Sequence, residues 1–314
     1  IARRRGNKRG ADDTPASTML GFPLMKRAYL PLLLLGLSAA SAFAEPRLFL
    51  REDYTFGSEG YKSNSISFSG LPGKNTLIGG EYTFYKDDTL PDVVHSFRLP
   101  LFINYGKMSG FFRPFYYPST RALDSSAAGF TAQGLFLLES NSVNETRSQI
   151  ACNVSVAGQN AAFGFADGTA PRKMLPEVTY ELLFQQNYFK EFYLLLNVSA
   201  YQYLTGIKGV QFADLILDQG DISSTGYFRA LRDLPQWNTG LEVNRTIGDS
   251  SDEQVYMQYH YLAFAQDYPA AHALSVGTRF KLSDTNSFDF GYNWIARGSD
   301  RKQNFYRAGF RLAF

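Results

Sequence analysis

The stretch Tyr306-Arg307-Ala308-Gly309-Phe310-Arg311-Leu312-Ala313-Phe314 alternates apolar residues with small or charged ones and is the last of the chain. Side chains on a β-strand point alternately to opposite faces, so Tyr306, Phe310 and Phe314 share one face and the two arginines share the other. A strand with an apolar face and an arginine face is typical of a membrane β-barrel, which meets lipid outside and water inside. The last strand of a soluble β-sandwich could show the same alternation.

This tail resembles the C-terminal signal of bacterial outer-membrane proteins. That signal has a polar residue, a glycine two positions on, and hydrophobic residues in the third-last and last places. The matching positions are Arg307, Gly309, Leu312 and Phe314. The resemblance implies an integral protein of a Gram-negative outer membrane, surrounded by its lipids, whose last strand is recognised by the barrel-assembly machinery.

The other end of the chain agrees with export. Met25-Lys26-Arg27 precedes an apolar run from Leu30 to Phe43, and Ala42-Phe43-Ala44 follows the pattern of a signal-peptidase site. We therefore predict a signal peptide over 25–44, cleaved after Ala44, and a β-barrel over 45–314. Residues 1–24 are then an upstream extension outside the mature protein; an extended amino-terminal region of the signal is the alternative.

Charge argues against a nucleic-acid partner. The first 44 residues hold seven of the 31 basic and two of the 29 acidic residues, so the remainder has 24 against 27 and a formal charge of −3. Nucleic-acid binding would require a clustered basic surface. A single cysteine, Cys152, cannot form an intramolecular disulfide, so we expect a closed ring of strands to hold the exported chain together.

Composition favours a barrel with a wet interior. The chain has 27 Phe, 20 Tyr and 2 Trp beside 27 Gly, yet its mean hydropathy is −0.22. Many aromatics with a polar average suit a lipid-facing band and aromatic girdles around a polar lumen. The predicted fold is therefore all-β: a transmembrane antiparallel up-and-down barrel.

Alternating segments recur along the mature chain, and we predict 14 strands. Twelve is the alternative, because the segment 64–71 is short and rich in serine. An even number leaves both termini in the periplasm, with short turns there and longer loops outside. The predicted strands lie near 47–56, 64–71, 76–86, 95–105, 109–118, 128–139, 146–156, 175–187, 190–204, 238–247, 253–264, 272–282, 288–295 and 306–314.

The parity that does not face lipid should line the lumen. The charged or polar candidates for solute selection are Arg51, Arg98, Arg147, Glu177, Glu181, Glu242, His260, Arg279, Lys281, Asp289, Arg307 and Arg311, with Asp53 and Arg297 on the same parity. Arginines facing acids across a water-filled passage would orient and sort polar solutes. Alternatively, these charges pair and plug the interior. Large groups on the same parity favour a narrow passage: Phe102, Leu135, Leu183, Tyr193, Tyr256 and Phe305.

The long connection 205–235 carries apolar residues in an otherwise polar loop. They are Val210, Phe212, Leu215, Ile216, Leu217, Tyr227, Phe228, Leu231 and Leu234. Such residues should avoid water, so we expect the loop to fold against or into the barrel mouth, as constriction loops do in porins by resemblance. A lid across the top is the alternative.

The sequence gives little support for a catalytic site, a metal site or a cofactor. The three histidines, His95, His260 and His272, lack the His-then-Ser-Asn-Gly pattern of outer-membrane phospholipases, and no metal-ligand spacing or phosphate-binding glycine loop is present. His260 has lumen parity, whereas His95 and His272 fall at strand ends. Cys152 shares the lipid parity with Ile150. We predict no cofactor, and an outer-membrane hydrolase is the third and weakest hypothesis.

The leading prediction is a channel for passive diffusion of small hydrophilic solutes through an aqueous lumen. The chain resembles the porin-like class in architecture only, because no motif names a family. The alternative from a different class is a solitary autotransporter-type, structural or adhesive barrel whose lumen is closed.

Overall fold

A computed structural model describes residues 48–141, 145–189, 191–215, 217, 234–247, 253–265, 268–283, 285–298 and 301–314. The predicted upstream extension, signal peptide and cleavage site all lie outside these ranges. The described residues form sixteen strand segments: β1 Leu48–Gly57, β2 Lys62–Gly73, β3 Thr76–Lys86, β4 Val94–Arg98, β5 Leu101–Tyr105, β6 Met108–Tyr117, β7 Ala127–Asn141, β8 Thr146–Phe165, β9 Arg172–Tyr188, β10 Phe192–Tyr203, β11 Val210–Asp214, β12 Pro235–Thr246, β13 Gln254–Phe264, β14 Ala271–Lys281, β15 Asn286–Arg297 and β16 Arg301–Ala313.

The strands fill fourteen positions around the sheet, and the sheet closes on itself. Every pairing is antiparallel, and β1 completes the ring by pairing with β16 from Phe49↔Ala313 to Gly57↔Phe305. β4 and β5 together fill one position, since both pair with β3 and with β6. The prediction of a 14-stranded up-and-down barrel is confirmed, and the 12-stranded alternative is wrong, because the serine-rich segment forms the full-length strand β2.

The two faces of this ring have the polarity of a membrane protein. Large apolar side chains lie exposed on one parity of nearly every strand, among them Phe68, Leu182 and Phe310. Polar side chains such as Thr83 and Asn153 are buried on the opposite parity. A soluble β-sandwich would bury its apolar parity, so this arrangement places lipid outside and polar groups inside. In the part of the chain that the structure describes, no helix could span a membrane.

Turn lengths distinguish the two ends of the barrel. At the end that holds Leu48 and Phe314, the β5–β6 hairpin turns within Gly106-Lys107, where Gly106 has a φ of +64° that favours glycine. The opposite end carries the longer connections, including that between β10 and β12. Outer-membrane barrels keep short turns in the periplasm, so the end that holds Leu48 and Phe314 is the periplasmic end.

Two elements differ from the predicted strands. The predicted strand 95–105 is interrupted at Leu99-Pro100, because proline has no N–H to donate to the ladder. The predicted connection 157–174 is mostly strand instead, since β8 and β9 continue pairing as far as Ala162↔Arg172. β8 therefore rises beyond its other neighbour and offers an edge to β11, which pairs with it.

Candidate functional site: the barrel lumen

Four neighbouring strands, β14, β15, β16 and β1, form one stretch of inner wall that carries most of the predicted lumen charges. We call it the basic wall. Its register aligns two rows: Lys281, Ser287, Arg311 and Arg51 in one, and Arg279, Asp289, Gly309 and Asp53 in the next. With Arg307, the wall has five cationic and two acidic side chains, so its formal charge is +3.

Ion pairs on the basic wall run along its surface. Arg51 contacts Asp53, two residues along the same strand, with Nε 2.5 Å and Nη2 3.0 Å from the carboxylate oxygens. Arg279 on β14 donates from Nε to Oδ1 of Asp289 on β15 at 2.9 Å. Both pairs are formed between nearest neighbours, so they keep these charges at the perimeter of the lumen.

The other basic residues of this region have different surroundings. Arg307 donates from Nη2 to the hydroxyl of Tyr256 at 2.9 Å, and Arg311 and Lys281 are half-buried nearer the periplasmic end. Arg297 shares their parity but lies at the opposite end of β15, where its guanidinium stacks 4.2 Å from the ring centre of Phe264. Arg297 therefore belongs to the extracellular rim.

A second charged cluster lies on β2, β3 and β4. Arg98 is 3% exposed and donates from Nη1 to Oε1 of Glu81 at 2.7 Å and to Oγ1 of Thr83 at 3.0 Å, while its Nη2 lies 3.3 Å from the hydroxyl of Tyr117. Ser65 also donates to Glu81, at 2.9 Å. Sequence reasoning missed Glu81, although its parity with Thr83 could have revealed it.

Replacing Arg98 by methionine should destabilise the folded barrel by about 3 kcal/mol, because it leaves Glu81 without its cationic partner in a mostly buried network. Urea unfolding of the protein in lipid vesicles measures this change. Arg245→Met is the matched control, since Arg245 is exposed on the outer face and the same substitution there should shift stability by less than about 0.5 kcal/mol. Equal midpoints for the two variants would show that the Arg98 network contributes nothing.

The three predicted acids of the opposite side lie on β9 and β12. Glu181 is buried and accepts hydrogen bonds from Asn153 at 2.5 Å and Ser199 at 3.2 Å. Glu177 is 1% exposed and has no hydrogen-bond partner among the described residues. Glu242 is half-buried and accepts from Asn244 at 2.8 Å. β9 lies half a ring away from β1, so Glu177 and Glu181 stand opposite the basic wall, but both are enclosed. Glu242 lies on β12, only two strands from β14.

The remaining predicted residues are dispersed. His260 is buried on the inner parity, with Nδ1 3.3 Å from the amide oxygen of Asn238, and Arg147 is exposed at the periplasmic end of β8. His95 and His272 lie on the outer parity. Nδ1 of His95 is 2.8 Å from the hydroxyl of Tyr82, and Nδ1 of His272 is 2.7 Å from the hydroxyl of Tyr259. Cys152 is exposed on the outer face, as its parity predicted. The described residues contain no group of side chains suited to a metal ion.

A cavity of about 300 Å³ opens on the inner face of β6 to β10, toward the periplasmic end. Leu135, Leu183 and Tyr193 were predicted to narrow the passage and do line this space. The polar residues of its lining were not predicted from the sequence, although they lie at alternate positions of these strands, on the inward parity. The full lining is Phe111, Arg113, Gln133, Leu135, Gln149, Ala151, Leu183, Gln185, Tyr193 and Leu195.

The extracellular end of the lumen is filled by a cluster that we call the apolar layer. Its members come from all sides of the ring: Tyr61, Tyr85, Val94, Phe115, Tyr117, Ala127, Ala157, Tyr201, Leu217, Leu262, Phe264, Ala271, Ala273, Ile295 and Phe305, with Leu90 and Leu123 from loops. The rings of Tyr61 and Phe305 meet edge to face at 5.4 Å. All of these side chains are buried, so they close this end of the lumen to bulk solvent.

Leu217 belongs to the connection between β10 and β12. It is 1% exposed, and its backbone N–H donates to Oε1 of the inward-facing Gln159 at 3.3 Å. Val210, Leu215 and Leu234 of the same connection are also buried, against the extended part of β8 and β9. Ile216, Tyr227, Phe228 and Leu231 lie outside the described residues, as does the side chain of Phe212. The described part of the loop thus reaches into the barrel mouth, which favours the predicted insertion over a lid.

No protein-family model matches the chain, and no curated protein matches its sequence. Among solved structures, it is similar to the KdgM porin, with 9% identity and a TM-score of 0.41 over 85% of this chain and 99% of that one. It is also similar to the CymD monoaromatic hydrocarbon channel, with 10% identity and a TM-score of 0.49 over 90% of this chain and 92% of that one. A third similar structure is Acinetobacter baumannii OccAB1, with 8% identity and a TM-score of 0.46 over 86% of this chain and 96% of that one. The assignment of an outer-membrane β-barrel rests on the closed ring and its polarity.

Proposed function

We propose that the protein is an outer-membrane channel through which small hydrophilic solutes diffuse passively. The observation that supports this most is the direction of the ion pairs. Arg51–Asp53, Arg279–Asp289 and Arg98–Glu81 each join residues on the same or on adjacent strands. Pairs that run along the wall satisfy buried charge without bridging the passage, which is what a conducting lumen requires.

Exposure along the lumen supports the same function. On β2, the inward residues Ser63 and Ser65 are buried, whereas Ser67 and Ser69, nearer the periplasm, are partly exposed. Arg51, Lys281 and Arg311 are likewise partly exposed at that end. On this side of the ring, the periplasmic half is therefore a polar vestibule, and the net positive charge of the basic wall would favour anions within it.

A closed-lumen barrel of autotransporter, structural or adhesive type is the second candidate, because the apolar layer fills the extracellular end. Under this alternative the layer is permanent and the external loops carry the function. Under the channel proposal the layer is a closed gate that includes Leu217, a residue held on a loop and not on the barrel wall.

Recording single-channel currents across a planar lipid bilayer tests the proposal. Protein that is folded, as judged by a heat-modifiable band on gel electrophoresis, should produce reproducible current steps whose size rises in proportion to salt concentration. The steps come from transient opening of the apolar layer, so they should be brief. Folded protein that remains electrically silent at all applied voltages would contradict the channel and support the closed-lumen barrel.

A further inference from the structure

The cavity described above has a lining of distinct chemistry, which we call the glutamine wall: the ten lining residues on the inward face of β6 to β10. Three glutamines lie on three consecutive strands, Gln133 on β7, Gln149 on β8 and Gln185 on β9. Gln149 and Gln185 are directly opposite each other in the register, so their Cβ atoms are about 5 Å apart. The side chain of Gln185 is oriented by donating to Oδ1 of Asn187 at 3.2 Å.

Amide side chains have a particular binding chemistry. Each glutamine has one carbonyl acceptor and two N–H donors, and none carries charge. A ligand that matches such a set must itself both donate and accept hydrogen bonds at neighbouring atoms. Hydroxyl groups do this, whereas carboxylates and phosphates only accept and ammonium groups only donate.

The rest of the lining is suited to the other face of such a ligand. Leu135, Leu183 and Leu195 provide apolar surface in the lining, together with the aromatic rings of Phe111 and Tyr193. Ring-shaped polyols present C–H groups on their faces and hydroxyls at their edges, so they need apolar and polar contacts together. Binding sites for small molecules commonly combine mostly apolar walls with a few placed polar groups.

Charge on this wall is sparse. The lining contains no carboxylate, so it offers no site for a cation, and Arg113 is its one charged residue. The guanidinium of Arg113 lies 5.8 Å from the ring centre of Phe111. The basic wall, with its formal charge of +3, lies half a ring away, around β16. Anions should therefore be drawn more strongly to that opposite side, whereas the amide groups of the glutamine wall carry no charge.

We propose that the glutamine wall is a binding site for a neutral, polyhydroxylated solute of the size of a small sugar. The cavity of about 300 Å³ is at the lower end of the range for sites that enclose small organic ligands. This inference deepens the proposed channel function, on which it rests, by naming a solute class that the lumen retains on its way through.

Saturation-transfer NMR with sucrose as the probe tests the site without requiring current. The folded full-length protein is held in a zwitterionic detergent, because maltoside detergents carry sugar head groups of their own. Sucrose should receive saturation from the protein, and sodium gluconate should not compete with it at equal concentration. In the Gln149→Leu/Gln185→Leu double variant, sucrose affinity should fall about fivefold or more, since several hydrogen bonds are lost.

Gln186→Leu is the matched control. Gln186 follows Gln185 in the chain but lies on the outer parity, where it accepts a hydrogen bond from Ser148 at 2.5 Å. This variant should bind sucrose like the unmodified protein. If the double variant does not fold, Tyr193→Ala replaces it and should also weaken sucrose binding.

Two results would overturn the site. One is the absence of saturation transfer to sucrose in the folded protein. The other is equal transfer in the glutamine double variant and in Gln186→Leu. If sucrose binds as expected while planar bilayers stay silent, the channel proposal fails and the glutamine wall stands as a binding site.

Discussion

Leu217→Asp is expected to raise the open probability of the pore by about tenfold or more in planar-bilayer recordings at fixed voltage and salt. Leu217 is enclosed in the apolar layer, and a carboxyl group there must be desolvated in the closed state but not in the open one. A penalty of about 1.4 kcal/mol on the closed state already corresponds to a tenfold shift in the equilibrium. Burial of an unpaired polar group generally costs at least that much.

The matched control for this experiment is Leu204→Asp. Leu204 directly follows β10 and is 58% exposed, so the same substitution there leaves the layer intact. Leu217→Ser is a second, uncharged variant, which should open the pore to a lesser extent through loss of apolar contacts. If both Leu217 variants conduct like Leu204→Asp, this loop does not hold the lumen shut.

Replacing Lys281, Arg307 and Arg311 together by serine should reduce the ratio of anion to cation permeability by about tenfold. The channel would then hardly distinguish anions from cations. The three substitutions lower the formal charge of the basic wall from +3 to 0. They also leave the Arg279–Asp289 and Arg51–Asp53 pairs in place. The reversal potential under a potassium chloride gradient measures the change.

Lys62→Ser/Lys86→Ser/Arg245→Ser provides the comparison for the basic wall. These three cations are exposed on the outer parity, so the variant loses the same charge from the chain without touching the lumen. Its reversal potential should equal that of the unmodified protein. Should the two triple variants shift the potential equally, selectivity would arise from total charge and not from the wall.

Strand parity could be predicted from the sequence because it depends on local geometry. Side chains alternate with a period of two, so an apolar row such as Tyr306, Phe310 and Phe314 determines which residues face inward without knowledge of the partner strand. Arg307 and Arg311 lie on the opposite parity of β16 from Tyr306 and Phe310 for this reason. The number of strands followed from the same alternation, interrupted by polar turns.

Partners of the inward residues could not be predicted in the same way. Arg98 meets Glu81 because β3 and β4 pair in one register, and a shift by two residues would preserve every parity while giving Arg98 a different neighbour. The glutamine wall was missed for a related reason. Gln149 and Gln185 are far apart in the chain and become neighbours only where β8 pairs with β9. Gln133 lines the same cavity, although its own register partner on β8 is Asn153.

The sequence by itself determined the fold class and which side chains meet lipid or lumen, since both follow from the alternation of neighbouring residues. The tertiary structure alone decided where the lumen is open to solvent and where it is closed. Closure of the ring brings Tyr61 and Phe305 together and admits Leu217 from the long loop. Whether an inward side chain is solvated depends on what stands across from it, and that distance is set by the ring and not by the strand.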